Sequence, residues 1–176
     1  SFNFIRSAMN TIDLVETGRL YAGDCDRPTP LFQNQQHAVY WLGIPDLTSF
    51  HCNIYLIVDG EEAILVDPGE KSSFELVMKR VSQILPPEKI SALIISHQDP
   101  DVAGSMTDWL MFNPLIKVIT TIRTNLLLQY YGKHSYSFYN VNDNLTWRFE
   151  SGRQLKFTES PFLHFAGAFT TYDVAS

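Results

Sequence analysis

The stretch Ala92-Leu93-Ile94-Ile95-Ser96-His97-Gln98-Asp99-Pro100-Asp101 decides how this chain is read. Ala92 to Ile95 is apolar throughout, as a central strand covered on both faces should be. It discharges into a polar loop in which His97, Asp99 and Asp101 lie two apart. In extended backbone, residues i and i+2 point to the same side, with about 6.6 Å between their Cα atoms. Pro100 disfavours the helical region for Asp99 and keeps it extended. The three side chains can therefore converge on one pocket. Imidazole and carboxylate ligands suit iron, zinc or manganese, and the cluster holds no thiolate to favour a softer ion. Two carboxylates against an apolar wall repel each other unless a cation or a proton joins them. Helix capping is the competing role, since Asp99, Asp101 or Ser96 can cap a helix starting near Val102. Capping accounts for one aspartate and leaves His97 and the other carboxylate without a task.

Upstream, Asn53 to Val58 and Ala63 to Val66 are strand-length runs rich in β-branched residues, with Asp59-Gly60 between them as a hairpin signal. Ala38 to Leu42 is a further strand, stopped by Gly43 and Pro45, while Thr11 to Val15 is a short candidate and Asp24 to Pro30 a turn-rich connection. Phe74, Val77, Met78, Val81 and Leu85 make an apolar stripe at helical spacing, predicting a helix over about 73–84, with Ser72 or Ser73 as cap and Pro86-Pro87 as stop. Downstream, the pattern predicts a helix from Val102 to Phe112, a strand over Lys117 to Thr121 and a helix from Thr124 to Tyr131. Short strands follow at Ser137–Asn140, Thr146–Phe149, Leu155–Thr158 and Phe169–Tyr172. The order predicts an α/β architecture, a mixed sheet with helices packed outside it. Gly104 alone lacks the spacing of a dinucleotide fingerprint or a P-loop.

The 176 residues fit one domain with a real hydrophobic core. An apolar fraction of 45% against 18% charged excludes a disordered chain. The net charge of −6 argues against nucleic acid or an anionic membrane as main partner. No apolar run reaches the roughly 20 residues that span a bilayer, and Ser1 to Arg6 lacks the order of an export signal, so a cytoplasmic location is the default expectation. Cys25 and Cys52 permit one disulfide by arithmetic, not a stapled scaffold.

Other residues carry weaker signals. His164 lies in the apolar loop Ser160 to Phe165, and an imidazole buried there needs a hydrogen-bond partner or a metal. His37 and His51 read as surface or structural residues and His134 as solvated. Asp67, ending a buried strand before Pro68-Gly69, either orients a metal ligand or bonds to its own turn.

Asn53 to Gly69 with Val66-Asp67-Pro68-Gly69, followed by Ile95 to Asp101, resembles the metallo-β-lactamase superfamily, whose loop reads histidine-x-histidine-x-aspartate-histidine. Asp99 in place of the second histidine moves the likeness toward the flavodiiron branch, as does Pro161 to Tyr172 with His164 ahead of Thr170-Thr171-Tyr172. The match covers about residues 38–176. It implies a metallo-β-lactamase-like αββα sandwich and a non-haem diiron centre that binds or reduces dioxygen, for oxygen sensing or redox. Residue by residue, it implies that His97, Asp99 and His164 serve one iron, that Asp101 serves the other, and that Asp67 supports the site. Two departures qualify the expectation. Val102 stands where the family has a histidine, which leaves two irons or only one. The family's bridging aspartate and final histidine have no counterpart before Ser176, so the domain reads as incomplete at its C-terminus. Asp173 is not expected to replace the bridge, because it sits too near the preceding strand. Electrons would come from a donor protein, since nothing resembles a flavin site; a signalling partner, a second copy or a complementary C-terminal fragment are the other expected partners. The resemblance also leaves open a zinc-dependent hydrolase, in which bridged metals generate hydroxide, and a sensory or interaction module with a degenerate site.

Overall fold

The computed structural model describes residues 27–43, 52–132 and 135–176. The expected strand at Thr11 to Val15, His51, His134 and Cys25 lie outside these residues.

A seven-stranded sheet forms from β1 (Thr29–Asn34), β2 (His37–Gly43), β3 (Ile54–Asp59), β4 (Glu62–Val66), β5 (Ile90–Ile94), β6 (Lys117–Thr120) and β7 (Ser137–Asn140), in that spatial order. Strands β1 to β4 pair antiparallel, whereas β4 to β7 pair parallel. The switch follows from the connections: Gly60, at φ 59°, closes the tight β3–β4 turn, while the parallel crossovers need helices. These are α1 (Phe74–Val81) after β4, α2 (Pro100–Ala103) and α3 (Met106–Phe112) after β5, and α4 (Ile122–Leu128) after β6. A three-stranded antiparallel sheet, β8 (Thr146–Arg148), β9 (Gln154–Glu159) and β10 (Phe169–Asp173), completes the described strands.

Alternation along the strands sends side chains into two cores. One lies between the large sheet and the helices and contains Ile54, Leu56, Leu65, Leu93, Val77, Met106 and Trp109. The other lies between the two sheets and contains Ile57, Ile64, Ile94, Ile119, Trp147, Phe149, Leu155 and Phe169. Leu93 and Ile94 belong to different cores, so β5 is covered on both faces, as the apolar run Ala92 to Ile95 predicts. The layer order of helices, sheet and sheet is that of a metallo-β-lactamase-like sandwich. None of the described helices is long and apolar enough to cross a membrane.

The local departures have physical causes. Thr29 and Pro30, read as the end of a turn-rich connection, open the strand β1 instead, and Pro30 is tolerated there because β1 is an edge. The helix expected from Val102 to Phe112 is split at Gly104-Ser105. There the backbone docks on the loop after β4: a Cβ on Gly104 would lie 2.8 Å from Lys71 N. Ser105 donates from its amide to Gly69 O (2.9 Å) and from its hydroxyl to Pro68 O (2.9 Å). Neither Ser72 nor Ser73 caps α1 through its side chain; the Ser73 hydroxyl donates to Glu70 O instead.

His37 is structural, as read, but wholly buried. Its ring nitrogens lie 2.8 Å from Asp59 Oδ2 and 2.7 Å from Asp173 Oδ2, with Arg153 Nη1 3.4 Å from the same Asp59 oxygen. This cluster ties β2 and β3 to β10 and gives Asp173 a partner at the end of β3 away from Tyr55.

Candidate metal centre

In parallel sheets, ligand sites form in the crevice beyond the carboxyl ends of the strands. The candidate residues gather at that edge here. Asp67 follows β4, the loop Ile95 to Asp99 follows β5, and the loop Ser160 to Ala168 reaches the same edge from the small sheet. The Phe169 amide points to Ser96 O at 3.4 Å and brings the two loops together.

Each of His97, Asp99 and His164 presents a ligand atom within 4.8 Å of the other two. The two imidazole rings stand edge-to-face with centroids 4.7 Å apart, and Phe165 lies 5.5 Å from the His97 ring and 4.4 Å from that of His164. His97 Nδ1 accepts a hydrogen bond from the Asp99 amide (3.4 Å) and lies 3.9 Å from Asp99 Oδ2. Burial, above all, pushes the His97 pKa down, with a further push from His164 opposed by Asp99 and Asp101. The ring is thereby held neutral, the form with a lone pair to offer a cation.

Asp99 stands at the N-cap of α2 with extended backbone (φ −67°, ψ 150°), and its carboxylate makes no capping bond. Its carbonyl takes the amides of Val102 and Ala103 instead. Capping therefore does not consume the side chain. Asp101 lies in the first turn of α2 outside the three-residue cluster, although its charge bears on Asp67, His97 and Cys52. Val102 is buried among the helix-side core residues.

Asp67 reaches across to the next loop: Oδ1 accepts the Ser96 amide at 2.8 Å. Its backbone is left-handed (φ 51°), a conformation that aspartate tolerates better than most residues. Burial, partly offset by the Ser96 bond and reinforced by Asp101, raises its pKa to about 6. Cys52, a buried free thiol packed on Asp67 O, is pushed far above the usual thiol range by the same surroundings.

His164 corrects one expectation. The imidazole is exposed, in a loop whose Phe162 and Leu163 are 79% and 85% exposed. The loop is apolar in sequence yet turned toward water, and Phe162 takes a left-handed turn (φ 64°) that its bulk disfavours. Exposed as it is, the imidazole needs no buried partner; it keeps a ligand atom within 4.8 Å of those of His97 and Asp99.

Sequence reasoning missed the residues that hold these loops from the far side. Thr121 Oγ1 (2.7 Å) and Thr124 Oγ1 (3.2 Å) donate to Gly167 O, and the Tyr131 hydroxyl donates to Gln98 O at 2.6 Å. No local signal marks a tyrosine 33 positions from its acceptor. Gly167, where a Cβ would crowd Thr121 and Thr124, was the available hint.

Fold and site together define a metallo-β-lactamase-like domain with a histidine–carboxylate cluster. Residues 50–176 match the family described as ODP family beta lactamase, and the chain belongs to that family. Among solved structures it is similar to the apo state of chemotaxis sensor ODP from T. denticola, with 27% identity, a TM-score of 0.72, and 85% of this chain and 59% of that one covered. It is likewise similar to a peroxy diiron species of chemotaxis sensor ODP, at 25% identity and a TM-score of 0.65, over 84% of this chain and 59% of that one. Among curated proteins it is 29% identical over 124 residues to diflavin flavoprotein A 1 of Synechocystis sp. strain PCC 6803, covering 70% of this chain and 22% of the relative. It is 28% identical over 150 residues to the anaerobic nitric oxide reductase flavorubredoxin of Enterobacter sp. strain 638, covering 76% of this chain and 30% of the relative. The chain thus spans less than a third of the length of these curated relatives.

Proposed function

We propose that this chain carries the iron-binding face of a non-haem protein that binds or reduces dioxygen, with His97, Asp99 and His164 as ligands of one iron. The observation that carries the reading is the convergence of these three donors within 4.8 Å, from two loops far apart in sequence. Their chemistry fits the metal: two imidazoles and a carboxylate are the mixed set that suits oxygen-active non-haem iron. Iron held there would supply an open coordination position for a diatomic ligand and electrons for its reduction.

The chain's own groups prepare the site. Burial keeps His97 neutral, Asp99 adds a negative charge its helix does not use, and Asp67 holds the loop through Ser96 N–H. Asp101 is assigned to a second iron, and Val102 beside it belongs to the core and ligates nothing, so that second position is the weaker of the two. Dioxygen is the small-molecule ligand, and a separate protein either donates the electrons or receives an output signal; a cytoplasmic location belongs to the same reading. The ODP and flavodiiron relatives support it.

The test is anaerobic loading with Fe(II) followed by air, monitored optically. Visible absorption that grows on exposure to air and is lost in His97→Ala is the expected result. A colourless protein that retains zinc and hydrolyses esters would contradict it.

A further inference from the structure

One short segment touches both ligand-bearing loops. At its start, the Thr121 and Thr124 hydroxyls both donate to Gly167 O, three residues beyond His164. At its end, Tyr131, in the 3₁₀ turn Gln129–Tyr131 that continues α4, donates to the carbonyl of Gln98, between His97 and Asp99. Both attachments are to backbone carbonyls of the loops, so they fix where the loops run rather than the rotamers of the ligands.

The segment is itself anchored. Leu128 is fully buried in the helix-side core, and the Tyr131 ring packs against that core. Thr121 caps α4 by accepting the Thr124 amide. Gly167 is pressed so closely on the helix start that a Cβ there would lie 2.6 Å from Thr124 Oγ1 and 2.9 Å from Thr121 Oγ1. A rigid element fastened to two loops sets their separation.

We propose that the Thr121–Tyr131 segment is a strut that spaces the His97–Asp99 loop from the His164 loop, with Tyr131 as a positioning residue for metal binding. This rests on the metal-site reading above and adds to it a residue that contacts no ligand side chain. Loss of a group hydrogen-bonded directly to a metal ligand typically costs 10–100-fold in affinity, and Tyr131 acts one step further out, through the Gln98 backbone. Tyr131→Phe keeps the ring packed and removes only the donor, so about a ten-fold loss is expected.

The experiment is anaerobic titration of the full chain with Co(II), a visible probe for the site, in competition with a chromophoric chelator. Tyr131→Phe should weaken Co(II) binding about ten-fold and shift the Co(II) absorption bands, while the melting temperature of the metal-free protein moves little. Thr124→Val, at the other end of the strut, should weaken binding several-fold. Tyr136→Phe removes an equivalent phenol bond, to Asn125 on the same helix (2.8 Å), and should leave affinity and spectrum unchanged. Unchanged affinity in both Tyr131→Phe and Thr124→Val overturns the strut while the metal site stands, provided His97→Ala abolishes binding. Equal weakening by Tyr131→Phe and Tyr136→Phe also overturns it, by reducing the effect to general loosening of α4. If His97→Ala binds Co(II) as the wild type does, the site reading beneath the proposal falls too.

Discussion

Asp67→Asn should stabilise the metal-free protein at neutral pH. The Asp67 carboxyl titrates near 6 in the fold, against an ordinary 3.8, because burial penalises its charge and Asp101 adds repulsion. A folded-state pKa above the unfolded one means that the folded protein binds more protons between those values, so stability falls as pH rises from about 4 to about 6. Above pH 7 the full cost applies. The difference of roughly two units corresponds to about 3 kcal/mol at most, and water at the partly open edge of the residue brings the expected figure to about 1–3 kcal/mol. Asparagine keeps an oxygen for the Ser96 amide and cannot ionise. Urea unfolding of the metal-stripped variant and wild type at pH 4.5 and 7.5 gives the comparison. The variant should gain about 1–3 kcal/mol on the wild type at pH 7.5 and about a third of that at pH 4.5. Equal or lower stability of Asp67→Asn at pH 7.5 would refute the assignment of burial as the dominant influence on this carboxyl.

Gly167→Ala should lower the melting temperature and destabilise by about 1–3 kcal/mol, since the added methyl meets Thr124 Oγ1 at 2.6 Å and Thr124 N at 2.9 Å; thermal unfolding followed by circular dichroism checks it. His37→Ala should cost about 3–5 kcal/mol in urea unfolding, because it strips the shared partner from the buried carboxylates of Asp59 and Asp173. Leu93→Ala, in the fully buried centre of β5, should cost about 2–5 kcal/mol in the same assay.

The parts of the fold governed by local pattern were legible in the sequence. An uninterrupted apolar run made β5 readable as a central strand, Asp59-Gly60 marked the β3–β4 turn, and the i, i+2 spacing of His97 and Asp99 pointed to side chains that the structure does bring together. What escaped depends on contacts distant in sequence. β1 hid behind Pro28 and Pro30, which an edge strand accommodates. The break between α2 and α3 arises where Gly104 meets the loop at Lys71, and nothing within the helix announces it. The apolar loop around His164 suggested burial, yet its tip faces water, and its hold on the start of α4 is the backbone carbonyl of Gly167. Asp67 looked equally fit to serve its own turn; its partner, the Ser96 amide, lies 29 residues away. The Tyr131 bond to Gln98 is of the same kind.

Metal analysis of the anaerobically purified full chain, beside His97→Ala, Asp99→Ala and His164→Ala, tests the central claim most directly. The account predicts bound iron in the wild type and at least a ten-fold lower content in each variant, with all four proteins folded by circular dichroism. Iron retained at the wild-type level in all three variants would contradict it.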